Sequence, residues 1–154
     1  MDPVSIRLAH AGDVETLAQN HRAMALETEG KALDRETTIQ GTRAVLEDPA
    51  KGFYLVAERE GATVGQLLVT FEWSDWRNGT FWWIQSVYVA EGARRTGVYR
   101  ALHDHVLGKA RADKDVCGVR LYVDKENHRA QATYAAMGMR AAHYDVFEID
   151  FVLG

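Results

Sequence analysis

Three runs of strand-forming residues, 53–58, 64–73 and 81–89, follow one another with only the turn sequences Glu60-Gly61-Ala62 and Arg77-Asn78-Gly79 between them. Short links carrying Gly and Asn reverse the chain tightly, so the runs read as an antiparallel meander of three strands in the middle of the sequence. Apolar runs of this kind need cover, and the sequence supplies helical patterns on both sides of them.

Upstream, Ser5-Ile6-Arg7-Leu8 reads as a short opening strand. Asp13 is placed to cap an amphipathic helix carrying Val14, Leu17, Ala18, His21, Met24 and Ala25, which Gly30 ends. A second helix between Asp34 and Asp48 turns Ile39, Val45 and Leu46 inward and stops at Asp48-Pro49 and Gly52. Downstream, a helix from about Gly97 to Ala112 carries Leu102, Val106, Leu107 and Ala110 on one face. Residues 119–123 form a strand, Asn127 to Met137 a helix closed by Gly138, and Tyr144 to Phe151 a last alternating strand. The expected order is β-α-α-β-β-β-α-β-α-β. It describes an α/β sandwich (α+β in its antiparallel pairing) of about 6–7 strands and about 4 helices, with residues 1–154 forming a single domain.

Composition narrows the function classes. With 154 residues, 47% of them hydrophobic, the chain can bury an ordinary core without staples. One cysteine, Cys117, cannot bridge to another within the chain, and its apolar surroundings read as a buried thiol. A formal charge of −4 argues against sequence-independent nucleic-acid binding. No apolar stretch reaches the length of a membrane span and the N-terminus lacks signal-peptide regions, so the expectation is a cytoplasmic protein with no membrane partner. The six histidines show no zinc-like spacing, and no metal is expected.

Two segments carry the chemistry. Val87-Tyr88-Val89 runs into Arg94-Arg95-Thr96-Gly97-Val98-Tyr99, a turn that opens a helix, where unpaired N–H groups and the helix dipole favour a phosphate. About thirty residues on, Asn127, Ala130, Tyr134 and Gly138 set an amide and a phenol two turns apart on one helix. Asn127 there is a natural N-cap, and Val87 and Val89 at period two are natural core residues. Together the segments resemble the GNAT superfamily, the Gcn5-related N-acetyltransferases, and the order of elements matches that fold over essentially the whole chain. The stretch from Glu72 to Val89 resembles bacterial members of unassigned substrate.

The resemblance implies acetyl-coenzyme A as co-substrate. It places the pyrophosphate on the turn from Arg94 to Tyr99, with the pantetheine arm paired to the backbone of Val87, Tyr88 and Val89 like an added strand and touched by the Asn127 amide. Arg94 and Gly97 fit the family's turn. Tyr99 departs from it, standing where a small residue is expected, and Arg95 stands where many relatives carry Gly. Tyr134 falls at the position that protonates the departing thiolate, and a backbone N–H near Val87 at the one that holds the thioester oxygen. Glu72, with Asp75 behind it, is the candidate base toward the open ends of the central strands.

The acceptor side is read from the residues bordering it. Glu27 and Glu29, in an acidic cluster with Asp34, and the aromatic stretch containing Trp73 and Asp75 suit a small cationic amine. Alternation puts Trp82 and Trp83 on opposite faces. A regulatory module that binds acetyl-coenzyme A without turnover, and acetylation of protein lysines or N-termini, stay open as alternatives. The apolar late strands are compatible with a homodimer.

Overall fold

A computed structural model of the chain describes residues 2–154. These divide into two compact units, the first ending at Tyr122 and the second spanning Val123–Gly154. The first unit holds strand β1 (Ser5–Leu8), helices α1 (Val14–Glu29) and α2 (Arg35–Glu47), strands β2 (Phe53–Arg59), β3 (Ala62–Ser74) and β4 (Gly79–Val89), helix α3 (Val98–Ala112) and strand β5 (Val116–Leu121). The second holds helix α4 (His128–Ala136).

The strands form one sheet in the order β1-β2-β3-β4-β5. The first three pairings are antiparallel, as a meander requires, and β4 with β5 is parallel. A parallel neighbour cannot be reached by a hairpin, and α3 supplies the crossover. Successive side chains of β2 point to opposite faces. Tyr54 and Val56 pack with Leu17 of α1 and Val45 and Leu46 of α2, whereas Leu55 and Ala57 join Leu67, Val69, Ile84 and the α3 residues Val98, Leu102, Val106 and Ala110. Each fully buried Val or Leu of that stripe stabilises by roughly 1.5–3 kcal/mol. The helix sits close because Gly65 of β3 has no side chain: a Cβ there would lie 2.8 Å from Val98 Cγ1.

Three expectations are corrected. Among the described residues the sheet has five strands rather than six or seven, and residues 144–151 belong to no ladder. β5 begins at Val116 and ends at Leu121, earlier than the 119–123 read from the sequence, and Cys117 within it is half-buried rather than enclosed. Asp13 precedes α1 but its side chain does not cap that helix. It turns back to accept from the His10 amide at 2.8 Å and from Arg7 at 2.8 and 2.9 Å, closing a short 3-10 turn over Ala11–Asp13. Arg7 also reaches Glu58 of β2 at 2.7 Å, so the partly buried guanidinium answers two carboxylates. Trp82 is buried and Trp83 half-buried on the other face, as the alternation requires.

Candidate active site

The ladder between β4 and β5 ends at Ile84↔Leu121, and along residues 85–89 no strand of the sheet lies on the side of β4 turned away from β3. At the same place the β3–β4 register slips between Gln66↔Tyr88 and Leu68↔Gln85, and Ser86 takes φ 51°. The extra residue is a β-bulge, which bends a strand and increases its local twist. Trp82 and Ile84 before it, and Val87 and Val89 after it, all pack into the same core. The sequence carries this signal as a slip from even to odd apolar positions, which a reading by uniform alternation passes over.

Beyond β4 the chain makes a 3-10 turn at Glu91–Ala93, passes through Arg95 at φ 63° and reaches Gly97 at φ 87°, the N-cap of α3. Arg94 braces this loop. Its Nε donates to the Val89 carbonyl at 2.9 Å and its Nη2 to Glu27 at the end of α1 at 2.8 Å. That carboxylate holds the Arg94 pKa above its ordinary value. Thr96 accepts from Arg59 of β2 at 3.0 Å and donates to the Ala93 carbonyl at 2.5 Å. The result is a fixed loop leading into the first turn of α3, where a helix by its geometry leaves N–H groups without partners inside it.

Tyr99, the departure from the family's small residue, directs its hydroxyl to Nδ1 of His103, 2.9 Å away and one turn along α3. The phenol therefore lies along the helix and not across its N-terminus. His103 is buried, and burial pushes its pKa down.

The remaining sequence-derived candidates scatter. Glu72 lies opposite Phe81 in the β3–β4 ladder and accepts from Arg120 at 2.7 Å and Trp83 Nε1 at 3.2 Å. Six residues of β4 separate Phe81 from Val87, about 20 Å at strand spacing. Trp73 pairs with Thr80, so it stands about 30 Å along β4 from Val89, beside which Glu27 is held by Arg94. Trp73 and Trp76 are exposed, and the Asp75 carboxylate accepts from the Trp76 amide. The structure brings Glu27 to the loop and leaves Trp73 and Asp75 at the opposite end of the hairpin. Glu29 is exposed at the end of α1.

In the second unit, Asn127 caps α4, its Oδ1 accepting from the Ala130 amide at 3.0 Å. The half-buried Tyr134 lies seven residues on, two turns along the helix, and Gly138 closes it at φ 92°. Among the described residues no group of three or more His, Cys, Asp or Glu side chains is arranged to hold a metal, and no helix is long and apolar enough to cross a membrane.

A mixed sheet with helices packed on it, whose bulged fourth strand parts from its parallel neighbour and leads to a glycine-capped helix, makes this a protein of the mixed α/β class. The chain belongs to the acetyltransferase (GNAT) family, whose sequence model matches residues 14–139. Members use acetyl-coenzyme A as co-substrate. A possible acetyltransferase from Clostridium difficile 630 is 41% identical, with 97% of this chain and 98% of that chain covered and a TM-score of 0.90. Two further solved structures share the fold. A transcriptional regulator from Bacillus halodurans C-125 is 21% identical over 96% of this chain and 100% of that chain, with a TM-score of 0.81. A ribosomal-protein-alanine N-acetyltransferase from Brucella melitensis biovar Abortus 2308 is 20% identical over 97% and 99%, with a TM-score of 0.77. No curated protein matches the chain.

Proposed function

We propose that this acyltransferase moves the acetyl group of acetyl-coenzyme A to a primary amine, a small cationic molecule, by direct attack and without a covalent enzyme intermediate. The observation that carries the reading is the continuity of the β4 bulge, the Arg94 brace and the αL Gly97 that opens α3. The first-turn amides of α3 would receive the pyrophosphate through backbone donors alone, which Tyr99 does not obstruct because its side chain runs to His103. The arm would pair with the edge of residues 85–89. Since Arg94 already occupies the Val89 carbonyl, Val87 and Tyr88 are its main backbone partners. Asn127 spends Oδ1 on its helix, so its Nδ2 is the group left to donate to the arm.

In the transfer, the neutral amine attacks the thioester carbonyl, whose oxygen gathers charge and is held by an N–H near Val87. As the C–S bond breaks, the Tyr134 hydroxyl gives its proton to the thiolate; a phenol is protonated at neutral pH and suited to that task. Glu72, about 20 Å along the sheet from Val87, takes the ammonium proton through a chain of waters and not by contact. Glu27 and Glu29 supply the negative charge that favours a cationic acceptor. The expected location is the cytoplasm.

Calorimetric titration with acetyl-coenzyme A, followed by a panel of diamines, monoamines and peptide N-termini, tests the reading. Saturable binding with acetylation of small amines supports it. Binding with no turnover on any amine replaces it with a sensor, and turnover confined to peptides replaces the acceptor.

A further inference from the structure

We propose that His103 is a positioning residue for the coenzyme seat: it anchors the Tyr99 phenol along α3 and so keeps the first turn of that helix open to phosphate. This rests on the coenzyme seat proposed above and adds a residue outside both spaced motifs. The turn from Arg94 to Tyr99 resembles the family's except where a small residue is expected and Tyr99 stands. Tyr99 is the second residue of α3, after Val98, and the N-cap Gly97 brings no side chain of its own to the first-turn amides. Side chains on a helix lean toward its N-terminus. An unanchored phenol at the second position therefore has that first turn within its reach.

His103 supplies the anchor. It stands four residues on, where side chains of one helix meet, and its Nδ1 lies 2.9 Å from the Tyr99 hydroxyl. The two rings meet edge to face, their centroids 5.6 Å apart and their planes at 65°. Tyr99 is half-buried and His103 fully buried.

An imidazole is an unfavourable choice for that place on packing grounds alone. Whichever nitrogen carries the proton, Nδ1 and the phenol form one bond, and the buried Nε2 has no hydrogen-bond partner among the described residues. A buried polar atom left unsatisfied is destabilising, and a leucine in the same space would avoid that penalty. What the imidazole provides and a leucine cannot is the bond to Tyr99.

Calorimetric titration of acetyl-coenzyme A into the full chain and its variants separates this role from a structural one. His103→Leu, which fills the space without the bond, should raise the coenzyme Kd about three- to tenfold, the range that one hydrogen bond supports. Tyr99→Phe breaks the same bond from the other side and should give a similar loss, so the test does not depend on the buried substitution folding. Adding Tyr99→Ala to His103→Leu should recover most of the affinity, because no ring is left to stray over the turn. His103→Asn, whose amide can take the place of Nδ1, should recover it with the ring present. A purely structural His103 would give a loss that Tyr99→Ala does not relieve. His103→Leu or Tyr99→Phe binding as tightly as the unmodified chain would overturn the proposal, as would a double variant no tighter than His103→Leu alone. No binding by the unmodified chain removes the coenzyme reading and this proposal with it, whereas binding by that chain with indifferent variants removes the proposal alone.

Discussion

At Gly97 the backbone conformation, not a side chain, opens α3. Its φ of 87° lies in the left-handed region, and no atom stands within 4 Å of a Cβ built there, so a substitution meets backbone strain rather than a clash. Gly97→Ala should cost about 1 kcal/mol of stability and weaken acetyl-coenzyme A binding several-fold, read by denaturant unfolding and calorimetry on the same sample. Tyr134 and Glu72 separate by different readouts. Tyr134→Phe should lower kcat on the order of 10²-fold while the coenzyme Kd changes little; an unchanged rate removes it as the acid. Glu72→Gln should move the acidic limb of the pH–rate profile, and a superimposable profile would strike out its role as base. Sequence spacing picked out the positive-φ Gly97 and the Asn127 helix cap because each is a local requirement of turn or helix. Glu27's partnership with Arg94 bridges 67 positions and left no local trace.

At the scale of elements, the packing of α3 on the sheet turns on a missing side chain. Gly65→Ala places a methyl 2.8 Å from Val98 Cγ1 and 3.3 Å from the Tyr88 carbonyl, so the helix start must move relative to β4. We expect a loss of about 1–3 kcal/mol in urea unfolding, together with weaker coenzyme binding, because Val98 opens the helix that would carry the phosphates. The meander, both early helices and α3 were legible, since period two and period 3.6 differ clearly over ten or more residues. The bulge at Ser86 was present as a phase slip from Trp82 and Ile84 to Val87 and Val89, but residue type gave no cue: a Ser at φ 51° is unusual. Asp13 looked like a cap by its type and position, yet Arg7 and the His10 amide compete for the same carboxylate and win.

For the molecule as a whole, acid should act in two stages. Burial lowers the pKa of His21, and of His103, below the ordinary value of 6.5. Above that value both are neutral folded or unfolded and contribute nothing; as pH falls through it, the unfolded chain takes up protons that the folded one resists, and stability drops. Asp13, whose pKa is lowered chiefly by its hydrogen bonds from Arg7, adds stability that is present above the ordinary 3.8 and is lost as pH falls below it. The thermal midpoint should therefore decline between pH 7 and 5 and again below about pH 4, and a midpoint flat from 7 to 5 would contradict the first stage.

By itself the sequence determined the order and type of nearly all the elements, the glycine-led turn and the family's spaced side chains. These depend on periodicity, capping and backbone freedom, which act over a few residues. The tertiary structure decided that β4 parts from β5 after Ile84, that Arg94 braces the loop against Glu27, and that Tyr99 lies back on His103. Each of these joins groups distant in sequence or chooses among partners competing for one donor or edge, and only the folded chain fixes which pairing is made.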